Sequence, residues 1–146
     1  MWALLYTARM EETIFDKIIR REIPADIVYE DDDTIAFLDA RPVNPGHTLV
    51  VPKRYARNLL DADAEVLAVV MKTVQKVAHA LMEGLSAEGV NIVVNNERAA
   101  DQLVFRLHIH VIPRFPNDGV EHWHSKERPQ GEAAGIAEKL RAELGS

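Results

Sequence analysis

Two histidines and an arginine at alternate positions are the residues of this chain that are best suited to chemistry. Arg106, His108 and His110 alternate with apolar residues from position 105 to position 111. This two-residue period predicts a strand, because successive side chains leave a strand on opposite faces. We therefore expect the apolar residues in the core and the three polar side chains in a row on a solvent-facing surface, where they could handle a phosphate.

Imidazole suits phosphoryl and nucleotidyl transfer because it can be an unprotonated nucleophile near neutral pH while a neighbouring ring acts as an acid. With a rise of roughly 3.4 Å per residue, the bases of His108 and His110 should lie about 7 Å apart on one face. One ring could attack phosphorus while the other donates to an oxygen. His47 directly follows a Pro-Gly turn at the start of another strand and is a candidate third imidazole.

The hydrophobic periods predict the elements that must position these rings. We expect a short helix capped by Thr13, strands at residues 27–30, 34–38 and 47–52, a long helix capped by Asp61, strands at 90–95 and 104–112, and a last helix at about 132–144. One face of the long helix should be buried through six apolar residues: Val66, Val70, Val74, Val77, Leu81 and Leu85. This order predicts an α+β fold with a five-stranded antiparallel sheet and the long helix on one side.

Composition narrows the function classes. A length of 146 residues predicts one domain, which we divide into an N-terminal extension (residues 1–12), a core domain (13–115) and a C-terminal tail with a short helix (116–146). The net charge of −6 argues against a nucleic-acid binder, and the absence of cysteine excludes a thiolate nucleophile.

No apolar run approaches the roughly 20 residues that cross a bilayer, and the apolar opening is a poor signal peptide, so we expect a cytoplasmic protein that starts at Met1 or Met10.

The order of short motifs resembles the histidine triad (HIT) hydrolases and transferases. The resemblance runs from about Thr13 to Arg114 and includes Pro-Gly-His-Thr-Leu-Val-Val-Pro-Lys at residues 45–53 and the segment 102–114. The family signature is His-x-His-x-His followed by two apolar residues. The purine nucleoside phosphoramidase branch is the most similar, and it implies a HIT-like fold, a homodimer with one continuous sheet, and no cofactor.

The resemblance also implies roles for individual residues. His108 matches the central histidine that becomes nucleotidylated, His110 matches the last histidine, and His47 matches a supporting histidine. Arg106 stands where the first triad histidine belongs, and its planar fork could clamp a phosphate oxygen. The residues that match the nucleotide pocket are Phe15, Ile18 and Phe37 around the base, Asp39 at the ribose, and Asn95 and Gln102 near the phosphate.

Three functions stay open at this stage. The first is hydrolysis of a purine nucleoside phosphoramidate or a related nucleotidyl bond through a covalent intermediate on His108. The second is a nucleotide-binding protein with little catalysis, in which Arg106 retains the phosphate. The third is a zinc hydrolase with His47, His108 and His110 as ligands and an open fourth position.

Overall fold

The computed structural model describes residues 11–145, so the sequence expectations for residues 1–10, including the choice of start methionine, lie outside it. The elements are α1 (Ile14–Ile19), β1 (Ile27–Glu30), β2 (Thr34–Leu38), β3 (Thr48–Pro52), α2 (Ala64–Gly84), β4 (Gly89–Val93), a single 3₁₀ turn (Arg98–Ala100), β5 (Ile109–Arg114) and α3 (Glu132–Leu144). The five strands form one antiparallel sheet in the order β1-β2-β3-β5-β4. The predicted α+β fold, with its five-stranded antiparallel sheet, long helix and short N-terminal helix, is confirmed.

Alternation along the strands divides the core into two layers. On one face of the sheet, three valines and a leucine of α2 pack against four strand residues. The helix residues are Val70, Val74, Val77 and Leu81, and the strand residues are Ala36, Val50, Ile109 and Val111. On the other face, Phe15 and Ile18 of α1 pack against Ile35, Phe37, Leu49 and Val51. Both faces of the central strands are therefore covered, as the apolar character of β2 and β3 requires.

The short helix α1 begins with a capping box. The backbone N–H and the hydroxyl of Thr13 both donate to one carboxylate oxygen of Asp16, and the Thr13 hydroxyl oxygen accepts from the Asp16 N–H. The prediction of Thr13 as the N-cap is confirmed. The helix is shorter than its apolar spacing suggested, because it ends at Ile19 rather than running to Pro24.

Four sequence expectations about these elements are wrong. The long helix is capped by Asp63 rather than Asp61, and Leu85 is its half-exposed C-cap rather than part of the buried face. The fourth strand is Gly89–Val93, so Asn95 lies in the loop after it. The fifth strand begins only at Ile109, so residues 104–108 precede it as a segment that bends at residues 104–106 and is held by other contacts.

The C-terminal region lies largely outside this core. The predicted helix at about 132–144 is confirmed as α3, and it has no buried residue. Trp123, in the segment before it, is 87% exposed. Within residues 11–145, no helix combines the length and the apolar composition that crossing a bilayer would require.

Candidate active site

The three imidazoles converge where β3 and β5 pair. His47 precedes β3, His108 precedes β5, and His110 lies in β5 opposite Leu49. The ring centroids of His108 and His110 are 5.0 Å apart, and those of His47 and His110 are 5.1 Å apart. The expectation that His47 joins the other two histidines is therefore met by the geometry.

The surface that carries these rings is not open to solvent, which corrects the expectation of a wet polar face. Arg106 is 3% exposed and His108 is 8% exposed. The reason is α1, which covers this face of the sheet: the Phe15 ring meets the His108 ring edge-on at a centroid distance of 4.9 Å. A period-2 pattern shows which side chains share a face but does not show what covers that face.

A chain of hydrogen bonds fixes the protons on His47 and His110. The backbone N–H of Val43 donates to Nδ1 of His47 over 3.0 Å, so the proton of the neutral His47 ring is on Nε2. That Nε2–H donates to Nδ1 of His110 over 2.9 Å. The neutral His110 ring is consequently an Nε2–H donor.

His108 has the opposite tautomer. Its Nδ1 lies 2.7 Å from the backbone carbonyl oxygen of Arg106, and a carbonyl only accepts, so Nδ1 carries the proton. Nε2 is left with a free lone pair, which is what a nucleophile requires. The backbone thus orients the ring and selects its tautomer without a carboxylate partner.

Burial keeps all three rings neutral at pH 7. Desolvation lowers the pKa of His47 and of His108, and the Asp39 carboxylate opposes this effect at both rings. For His110, burial, followed by the neighbouring His108 and His47, lowers the pKa to about 4. A neutral His108 is nucleophilic without first losing a proton.

A cleft of about 660 Å³ opens beside these rings. Seven of the residues that line it were singled out from the sequence: Phe15, Ile18, Phe37, Asp39, Asn95, His108 and His110. A larger cleft of about 780 Å³ shares Leu103 and Val104 with it, but that cleft is lined by no histidine and so offers no imidazole nucleophile. The smaller cleft is therefore the candidate active site.

Asp39 directly follows β2 and lines this cleft. One of its carboxylate oxygens accepts from the Arg41 N–H over 2.8 Å, and the other lies 3.5 Å from Nε2 of His47. Asp39, His47 and His110 offer ligand atoms within 4.8 Å of one another. Within residues 11–145, these three residues form the group that could hold a metal ion. This set contains Asp39 in place of His108, unlike the three-histidine set suggested by the sequence.

Two residues expected at the phosphate lie elsewhere. Gln102 is buried and organises the neighbouring loops: its amide donates to the carbonyls of Arg57 and Val104, and its side-chain oxygen accepts from Asn58 and from the Glu97 N–H. Arg106 does not line the cleft either, because its guanidinium turns towards Asp16 and the end of β3. The phosphate clamp suggested for Arg106 therefore has no support in the geometry.

The sequence resemblance places the Asp101 carboxylate near the site, and the structure brings Asp101 into the cleft. Asp101 lines it with a backbone φ of 63°, a left-handed conformation that favours glycine. With the histidines neutral, the charged residues that line the cleft are Asp26, Asp39, Asp101 and Arg41.

The comparisons with known proteins match the chain to one family. Residues 20–117 match the HIT domain. An uncharacterised HIT-like protein of Methanocaldococcus jannaschii is 47% identical over 106 residues, which cover 73% of this chain and 81% of that protein. The adenylylsulfatase HINT3 of Arabidopsis thaliana is 36% identical over 107 residues, which cover 73% of this chain and 54% of that protein. A crystal structure of a HIT family member from Bacillus subtilis superposes with a TM-score of 0.84 at 34% identity and covers 93% of this chain and 99% of its own.

Proposed function

Because this chain belongs to the HIT domain family of nucleotide hydrolases and transferases, we propose that it cleaves nucleoside phosphoramidates or related nucleotidyl bonds through a covalent intermediate on His108. The observation that carries the proposal is the tautomer of His108. Its Nδ1–H is held by a backbone carbonyl, and its unprotonated Nε2 belongs to a ring that lines the cleft.

The reaction has two steps. Nε2 of His108 attacks phosphorus, and the new N–P bond forms as the bond from phosphorus to the leaving nitrogen breaks; the leaving amine takes up a proton from solvent. Water then attacks phosphorus as the bond from phosphorus to Nε2 of His108 breaks. The nucleoside monophosphate leaves, one proton of the water returns to solvent, and His108 is restored. The Nε2–H of His110 is the nearby donor for a phosphoryl oxygen, and it stabilises the charge that develops there.

The cleft supplies the remaining contacts. Phe15, Ile18 and Phe37 form an apolar wall for a purine base, and Asp39 accepts from ribose hydroxyls. Asn95 lines the same cleft and can donate its amide to the phosphate. Gln102 contributes indirectly, by holding the loop that carries Asp101 and Leu103.

The experiment is a steady-state assay of adenosine and guanosine phosphoramidates with a chelator present. We compare the parent protein with His108→Ala and with His79→Ala, a matched control because His79 is exposed on α2. Turnover should vanish in His108→Ala and persist in His79→Ala. Undiminished turnover in His108→Ala would contradict the nucleophilic mechanism.

Two arms of this assay test other functions. Adenylyl sulfate serves as a second substrate, because a relative of this chain is an adenylylsulfatase. The chelator tests the metal alternative, which rests on the proximity of Asp39, His47 and His110. Loss of activity with chelator and its recovery with zinc would favour a metal hydrolase.

A further inference from the structure

The hydrogen-bond ladder between β3 and β5 ends early. It pairs Thr48 with Val111, Leu49 with His110, and Val50 with Ile109. Continued in the same register, it would place Pro52 opposite position 107, and proline has no N–H to donate. The segment before β5 therefore needs other partners. The Leu107 N–H donates to the Ala56 carbonyl, and the Tyr55 hydroxyl donates to the Phe105 carbonyl.

The Arg106 side chain takes over where the ladder stops. Its Nη2 donates to the carbonyl oxygens of Pro52 and Lys53, each over 2.8 Å. These are main-chain acceptors at the end of β3. The guanidinium thus joins the segment before β5 to β3 without a backbone pair.

The same guanidinium also holds α1. Its Nη1 forms an ion pair with one carboxylate oxygen of Asp16, whose other oxygen accepts from Thr13 in the capping box. Burial alone would raise the pKa of Asp16, but the hydrogen bonds from Thr13 and the charge of Arg106 outweigh it and lower the pKa. Phe15, the neighbour of Asp16 in sequence, is the residue whose ring contacts His108.

Only arginine among the cationic residues could make this set of contacts. A histidine ring has at most two N–H groups and could not serve two carbonyls and a carboxylate at once, and lysine lacks a planar fork. The cost is one orphaned group: Arg106 Nε has no hydrogen-bond partner within residues 11–145.

We propose that Arg106 is a positioning residue for the nucleophile. Its side chain fixes the place of its own backbone carbonyl, which accepts the Nδ1–H of His108 over 2.7 Å and so sets the tautomer and aim of that ring. It also docks α1, and with it Phe15, against the cleft. This inference rests on the proposed function, because His108 must be the nucleophile for its aim to matter.

The kinetic test compares Arg106→Met and Arg106→Lys with the parent protein. Arg106→Met should lower kcat roughly ten-fold or more and change KM less, because a misaimed nucleophile costs most in the transition state. Arg106→Lys keeps the charge without the fork and should rescue part of the loss. The control is Arg114→Met, since Arg114 also makes a clamp of several bonds, to Asp118, Asn91 and the Val120 carbonyl. That control should lower Tm and leave kcat near the parent value.

A second readout needs no substrate. Nitrogen-15 NMR of His108 at mildly alkaline pH should show a single neutral tautomer with the proton on Nδ1 in the parent protein, and a mixture of tautomers in Arg106→Met. If Arg106→Met does not fold, Asp16→Asn takes its place in both measurements. Asp16→Asn should change kcat and the tautomer of His108 in the same direction as expected for Arg106→Met, but to a smaller extent. A parent-like tautomer and kcat in the variant, even with a lower Tm, would overturn the proposal. Absence of turnover in the parent would contradict the proposed function alone, because the NMR result stands without it.

Discussion

The chemistry of this site depends on which ring nitrogens carry protons. Two backbone groups decide this: the Val43 N–H, which donates to His47, and the Arg106 carbonyl, which accepts from His108. Neither His108 nor His110 needs a carboxylate to select its tautomer. As a result, His108 has an unprotonated Nε2 for attack on phosphorus, and His110 has an Nε2–H that can donate to the phosphoryl oxygen. The rigid elements that carry both rings preserve this geometry.

The neutral rings predict a specific pH dependence of stability. The folded-state pKa of each of the three site histidines, His47, His108 and His110, lies below the ordinary value of 6.5, and that of His110 is about 4. As pH falls below 6.5, the unfolded chain binds protons that the folded chain does not, so the free energy of unfolding should fall. Urea unfolding between about pH 7.5 and about pH 5.5 measures this change in the free energy of unfolding. The window lies above the pH range in which ordinary carboxylates titrate.

Two variants separate the buried rings from the rest of the chain. His110→Gln should flatten the dependence on pH, because it removes the ring whose pKa is lowered to about 4. His79→Gln is the matched control, because His79 is exposed on α2. A free energy of unfolding that stays constant or rises as pH falls through this window would contradict the neutral state of the site.

At the scale of elements, the six-residue helix α1 contributes to the site in three ways. It covers the face of the sheet that carries His108, supplies Phe15 and Ile18 to the cleft, and presents Asp16 to Arg106. Helices this short are marginal in isolation, so the capping box and the packing against the sheet must hold it. Its attachment should therefore affect both stability and substrate binding.

Thr13→Ala tests this attachment. Loss of the cap should cost about 1 kcal/mol of stability and raise KM more than it lowers kcat, because α1 forms part of the cleft wall while the His108 bond to the backbone stays intact. Chemical unfolding and steady-state kinetics measure the two effects. Asp63→Ala is the matched control, since Asp63 is the N-cap of α2 but its side chain makes no capping hydrogen bond. Equal effects of the two substitutions on KM would contradict a role for α1 in binding.

The elements were predictable from sequence wherever local signals dominate. The hairpin of β1 and β2 and the helix α3 have clear periodicity and turn residues, and their predicted bounds match the structure. The start of β5 at Ile109 was not predictable from its own residues. The alternating apolar pattern extends back towards Val104, so it predicted a strand that begins five residues too early. The β3–β5 ladder stops two positions before its register would bring Pro52, which has no N–H, opposite position 107, more than fifty residues away in sequence.

The candidate site shows the same division. Residue types and spacing placed His108 and His110 on one face, and the structure brings His47 and Asp39 to them. The burial of Arg106 could not be predicted, because it depends on α1 folding over the sheet from ninety positions earlier. From sequence alone, an arginine in a row of polar residues is interpreted as a phosphate ligand. Its true role became visible only with its hydrogen-bond acceptors in the structure.

At the scale of the whole molecule, the two edge strands of the sheet within residues 11–145 bear on assembly. β4 is an edge strand with Ile92 43% exposed, and β1 is the other edge with Val28 53% exposed. An exposed edge with apolar side chains is a site for strand pairing. We expect a homodimer in which two copies pair through β4 and form one continuous sheet.

Matched substitutions on the two edges test this arrangement. Ile92→Glu places a charge in the expected interface and should give a monomer, whereas Val28→Glu on the opposite edge should leave the dimer intact. Sedimentation velocity measures both variants against the parent. A monomeric parent, or a dimer that survives Ile92→Glu and dissociates with Val28→Glu, would contradict pairing through β4.

The covalent intermediate on His108 is the central claim, and intact-protein mass spectrometry tests it most directly. The protein is mixed rapidly with a nucleoside phosphoramidate and quenched in alkaline denaturant, since a phosphorus–nitrogen bond to histidine is labile in acid. We predict a mass gain of one nucleotidyl group that maps to the peptide containing His108 and is absent from His108→Ala. Steady turnover in the parent with no adduct at any time point, together with full activity in His108→Ala, would contradict the account.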